Sequence, residues 1–117
     1  MDSFEITQHQ IDKATVFAIK GYLNAEAGKE VMRVAEEALK AGKIFLIVDF
    51  SECPSVNSPG SAAILDVILK ALDDFRGRVI LTGLTKSQVN FFSMAGIIPT
   101  AEVDDTVEKA CQRIHQK

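Results

Sequence analysis

The chain is poor in the residues that reactive centres are usually made from. Its 117 residues hold two cysteines and two histidines. Cys53 and Cys111 lack C-x-x-C spacing and have no histidine close by, which argues against a metal site; two thiols in a chain of this length suggest a reducing compartment. His9 and His115 stand at opposite ends, next to no activated-nucleophile motif, so no Ser/His/Asp set can be assembled. Lysine and arginine form no cluster and the net charge is −3, which disfavours a nucleic-acid grip that works by displacing phosphate counterions. No apolar run approaches the ~18 residues of a membrane span, and Met1-Asp2-Ser3-Phe4-Glu5 lacks the apolar stretch of a leader. Glycine is scarce where a dinucleotide site needs it: Gly21-Tyr22-Leu23-Asn24-Ala25 offers one. The expectation is a cytoplasmic protein without catalytic activity, metal or cofactor.

What is present is ordinary globular material. Hydrophobic residues make up 47% and charged residues 25%, as in folded domains. A chain this long buries roughly two-thirds of its unfolded surface, so a single domain over residues 1–117 is expected. Phe4 to His9 alternates apolar and polar residues and Ala14 to Gly21 is a second β-prone run, predicting a hairpin that turns at Ile11-Asp12-Lys13. Ala25 to Ala41 carries Gly28, Val31, Met32, Ala35, Ala38 and Leu39 at helical spacing, with Asn24 as N-cap and Gly42 past the end. Ile44 to Phe50 reads as a strand buried on both faces. Ser61 to Phe75 reads as a helix with a broad apolar arc, whose edge near Ala62 and Leu69 could serve docking. Arg78 to Leu84 is the next strand. Thr85-Lys86-Ser87-Gln88 has capping-box spacing for a short helix that stops at Gly96. Ala101-Glu102-Val103 reads as an edge strand, and a last helix from Thr106 turns Val107, Ala110, Cys111 and Ile114 inward. This order predicts an α/β fold: a mixed, mostly parallel sheet opened by a β-hairpin, with about four helices.

The polar stretch from Ser51 to Ser58 is expected to be a loop at the carboxyl end of the central strand, where α/β sheets meet ligands and partners. Cys53 falls in it, and its exposure is open. Ser58 is expected as N-cap of the following helix with Pro59 at the first helical position, and Gly60 and Ser61 are expected to present free amides. A hydroxyl at that helix start could accept phosphate, since a helix amino terminus tolerates negative charge.

Several segments resemble one family. Leu46-Ile47-Val48-Asp49-Phe50-Ser51 is similar to the I-V-L-D strand of STAS domains, Asn57-Ser58-Pro59-Gly60 to their D-S-[ST]-G helix start, Gly21-Tyr22-Leu23-Asn24 to G-x-L-D, and Phe91-Phe92-Ser93-Met94-Ala95-Gly96-Ile97 to L-F-x-x-x-G-L. The likeness is strongest to bacterial anti-sigma-factor antagonists. It implies an anti-sigma factor serine kinase as partner, phosphorylation of Ser58 by that kinase, and a cognate phosphatase that restores binding. It also implies a partner-binding surface drawn from Asn24, Val56, Asn57, Ser58, Pro59, Gly60, Ser61 and Ala62. The chain departs from the family at Asn57 and Asn24, where aspartates are usual, at Pro59 for Ser or Thr, and at Ser61 for Leu. A different kind of role on the same fold is a constitutive scaffold subunit in a regulatory or transporter-associated complex. A homodimer through Val67, Ala71 or the edge strand stays open.

Overall fold

The computed structural model describes residues 3–115. Strands β1 (Phe4–Ile11) and β2 (Ala14–Leu23) form the expected hairpin, turning at Asp12 with positive φ. Helix α1 (Ala25–Lys40), β3 (Phe45–Val56), α2 (Ser58–Phe75), β4 (Arg78–Thr82), α3 (Lys86–Met94), β5 (Glu102–Asp104) and α4 (Val107–His115) follow. The sheet order is β1-β2-β3-β4-β5, antiparallel at β1/β2 and parallel elsewhere.

That order decides where the helices go. Each parallel step moves the same way across the sheet, and right-handed crossovers then place α1, α2 and α3 on one face. Phe17, Ile19, Leu46, Val48, Phe50, Ile64, Ile68 and Phe92 pack there, with the Phe50 and Phe92 rings edge to face at 5.5 Å. The other face is left to α4, whose Ala110, Cys111 and Ile114 cover Ala14, Val16, Ile47 and Ile80. A two-sided burden of this kind is why β3 reads as unbroken apolar sequence as far as Val48.

The third strand is longer than its sequence predicts. It continues to Val56, so the expected polar loop from Ser51 is strand. The pairing with β2 advances from Ala18↔Asp49 to Lys20↔Glu52 and Tyr22↔Ser55, three residues of β3 against two of β2 each time. These irregularities absorb Pro54, which has no N–H for a ladder, and a proline among polar residues hid the strand. Beyond Asp49↔Thr82 this stretch has no pairing with β4. There the buried Gln88 supports it, its Nε2 donating to the Cys53 carbonyl at 2.7 Å while its Oε1 completes the capping box with Thr85.

Inclusion in the strand buries Cys53 to 1% exposure, and Cys111 is 8% exposed. Burial pushes both thiols up from the usual cysteine range, and the thiolate is the reacting form. Neither thiol is therefore expected to react quickly with Ellman's reagent until the protein is unfolded in denaturant, when both should titrate. A fast native equivalent would contradict this packing.

The short strand β5 is held by charge. Arg78 donates from Nε and Nη2 to the Glu102 carboxylate, at 2.8 and 2.6 Å, and Arg113 reaches Glu102 and Asp104 from α4. The Arg78 hydrogen bonds hold the Glu102 carboxyl below the usual glutamate range, against the opposing pull of burial. A lowered carboxylate contributes stability that is complete above its unfolded-state pKa of about 4.3 and is lost as pH falls through the folded value. Glu102→Gln is expected to be less stable than the parent at neutral pH and to lose less on acidification. Parallel urea titrations at pH 7 and below pH 4 would check this, and an unchanged acid slope would count against it.

Val67 and Ala71 are 1% and 0% exposed beneath α2, so neither can carry the self-association considered for them.

Candidate functional site

Two strand ends and two helix starts meet at the site. β2 ends at Leu23 and β3 at Val56, and the Asn57 amide donates to the Leu23 carbonyl at 3.1 Å, fixing the ends side by side. The next residue in each case is an asparagine in extended conformation. Asn24 caps α1 by accepting from the Ala27 amide and Asn57 caps α2 by accepting from the Gly60 amide, both at 2.9 Å. The α2 cap is thus one residue earlier than expected: Asn57 replaces Ser58, which becomes the first helical residue, with Pro59 second. Asparagine and serine cap about equally well, and here the Asn57 side chain makes the bond to the third helical N–H.

This correction alters the electrostatics of the first turn. Gly60 N–H is spent on Asn57 Oδ1 and Ser61 N–H on the Asn57 carbonyl, so neither is the free amide that was expected. Pro59 has none. Among the described residues, the Ser58 amide alone in this turn has no partner in the chain. Ser61 is 5% exposed and turns its hydroxyl inward onto the Ser58 carbonyl at 2.9 Å.

Close packing explains the small residues. A Cβ on Gly60 would strike the Leu23 carbonyl, and one on Gly28 would come within 2.7 Å of Ala63 Cβ. Glycine at both positions lets α2 lie against the end of β2 and against α1. Of the eight predicted contact residues, Ser58, Pro59 and Ala62 are exposed, Asn24, Val56 and Asn57 are half-buried, and Gly60 and Ser61 are buried. The last two shape the site and cannot touch a partner.

Residues outside the motif complete the surroundings. Tyr22 accepts from Asn57 Nδ2 at 3.1 Å, a bond that uses the amide standing where an aspartate was expected. Ser58 edges a hollow of about 240 Å³ against Leu65, Phe91 and Ala95. Pro59 edges a groove of about 470 Å³ between α1 and α2, floored by Gly28 and Met32. Leu69 is 40% exposed and Met94 89%. Neither lines the hollow at Ser58, where Ala62, Leu65, Phe91 and Ala95 form an apolar collar around a hydroxyl on the α2–α3 side. Leu69 and Ala62 were legible as the edge of a helical arc. Tyr22 and Phe91 were not, because only the fold brings β2 and α3 beside the start of α2.

The sequence pattern of the STAS domain matches residues 5–110. The chain belongs to the STAS domain family. Solved structures superpose along nearly the whole chain. An anti-sigma factor antagonist from Mycobacterium paratuberculosis has a TM-score of 0.85 at 15% identity, covering 98% of this chain and 97% of that one. The Bacillus cell fate determinant SpoIIAA in its phosphorylated form gives 0.75 at 20% identity, covering 95% and 100%. A Ser-to-Glu variant of RsbS from Moorella thermoacetica gives 0.73 at 17%, covering 93% of each. No curated protein matches the chain in sequence. At these identities the likeness to solved structures establishes the STAS fold, with its five-stranded mixed sheet and four helices. No helix among the described residues is long and apolar enough to cross a membrane.

Proposed function

We propose that this STAS domain is a non-enzymatic cytoplasmic regulator, an anti-sigma-factor antagonist that docks a kinase-type anti-sigma factor at the start of α2 and is released when Ser58 is phosphorylated. The observation that carries this reading is the exposed Ser58 at the first position of α2, beside an apolar collar. A phosphoserine brings ≈ −1.5 to −2 charges. The first turn can return little, because Asn57 and the helix itself have used its donors, leaving the Ser58 amide and a dipole worth ~0.3–1 kcal/mol. Burying such a charge against Leu65, Phe91 and Ala62 costs more than that. The phosphate therefore acts by repelling a partner and needs no distant motion. That one structural relative is described as a phosphorylated form and another as a serine-to-glutamate variant supports a reading in which phosphorylation matters. A cognate phosphatase would restore binding.

The test is to incubate the protein with a kinase-type anti-sigma factor and ATP and to map any added phosphoryl group by fragmentation mass spectrometry. The expected result is one phosphate on Ser58 and none on Ser58→Ala. A stable complex that never gains phosphate would instead identify a constitutive scaffold subunit.

A further inference from the structure

Strand β1 is an edge with little of the protection that sheet edges usually have, its one acidic or basic charge at neutral pH being Glu5. Its eight residues pair with β2 in unbroken register from Phe4↔Gly21 to Ile11↔Ala14, and it contains no proline, lysine or bulge, the devices that normally discourage pairing with another chain. The opposite edge differs, since β5 is three residues long and its two acids are engaged by Arg78 and Arg113.

The direction of the free backbone groups follows from one hydrogen bond. Tyr22 N–H donates to the Ser3 carbonyl at 3.2 Å, and residue 3 continues the register opposite Tyr22. Bonded and non-bonded pairs alternate in an antiparallel ladder. Glu5, Thr7, His9 and Ile11 therefore turn their amides and carbonyls toward β2, while Phe4, Ile6, Gln8 and Gln10 turn theirs outward.

We propose that β1 pairs antiparallel with β1 of a second copy about a two-fold axis at Thr7, making one continuous sheet. This axis sets Phe4 against Gln10 and Ile6 against Gln8, so all four outward residues are bonded. An axis at Ile6 leaves Gln10 without a partner, and one at Gln8 leaves Phe4 without one. The axis at Thr7 also sets the exposed Glu5 carboxylate opposite the exposed His9 imidazole of the other copy, twice over. Two features, the backbone pairing and the apposition of carboxylate and imidazole, thus select one register. Because β1 lies across β2 from β3, the dimer leaves Ser58 open in both copies, and the inference does not depend on the proposed switch.

The experiment combines sedimentation velocity over a dilution series with a disulfide trap. Gln8→Pro removes an outward N–H without taking a bond from β2, and Thr7→Lys sets two ammonium groups face to face at the axis. The wild type is expected to sediment as a concentration-dependent dimer, and each variant, folded by circular dichroism, to raise the dissociation constant by roughly tenfold or more, the ratio that 1.4 kcal/mol represents. Under mild oxidation Thr7→Cys should cross-link to itself, being a close non-hydrogen-bonded pair, and Glu5→Cys should not. A wild type that is monomeric at every concentration, folded variants that dimerise like the parent, or Glu5→Cys cross-linking as well as Thr7→Cys would each overturn the proposal.

Discussion

Ser58→Asp and Ser58→Glu are expected to weaken binding to the proposed anti-sigma-factor partner about a hundredfold, equivalent to ~2.7 kcal/mol, while Ser58→Ala binds as the parent does. The side chain is exposed and its hydroxyl is not needed to hold the helix start, since Asn57 caps α2. Removing the hydroxyl should therefore cost neither fold nor docking. A carboxylate at the first helical position is mildly favourable to the helix, by ~0.3–1 kcal/mol, so the melting temperature of the acidic variants should hold or rise while affinity falls. That opposition separates a docking effect from a folding one. Titration calorimetry beside thermal melts reads both, and equal affinity of the alanine and acidic variants would refute the charge mechanism.

Gly60→Ala should be among the most destabilising single substitutions in the chain, costing about 3 kcal/mol or more, at or above the upper end of ordinary overpacking. A methyl there would collide with the Leu23 carbonyl oxygen and lie 2.8 Å from its carbon. Both are backbone atoms of a fully buried strand end that also accepts from Asn57. Relief requires moving α2 off β2, which carries Ser58 with it. Gly42→Ala makes the useful contrast. Gly42 has φ +88 but nothing within 4 Å, so alanine there meets only backbone strain, on the order of 1 kcal/mol. Urea melts of both variants would check the ranking, and a Gly60→Ala protein as stable as the Gly42→Ala one would show that the contact is not tight.

Most of the architecture was readable from local pattern because its signals are local. Asn24 before α1, Thr85 with Gln88 before α3, and the spacing of Ala110, Cys111 and Ile114 each report a short-range arrangement. The structure has all three where the residues put them. The failures are the places where tertiary contact overrode local chemistry. Ser51 to Val56 looks like a loop by composition, yet β2 on one side and Gln88 on the other draw it into the sheet and bury Cys53. Ser58 looks as good a cap as Asn57. The choice falls to Asn57 because its amide also reaches Tyr22, 35 residues away in sequence, a preference that no window around the helix start could reveal. Ser58 itself was found through a motif, whereas the collar around it depends on α3 lying next to α2.

The most direct measurement is fragmentation mass spectrometry of the protein purified from its own cells, covering the segment that holds Ser55, Ser58 and Ser61. If docking is governed as argued here, a fraction of the molecules carries a single phosphate and that phosphate is on Ser58. A protein that never carries phosphate there under any growth condition, or that carries it on Ser55 instead, would contradict the account.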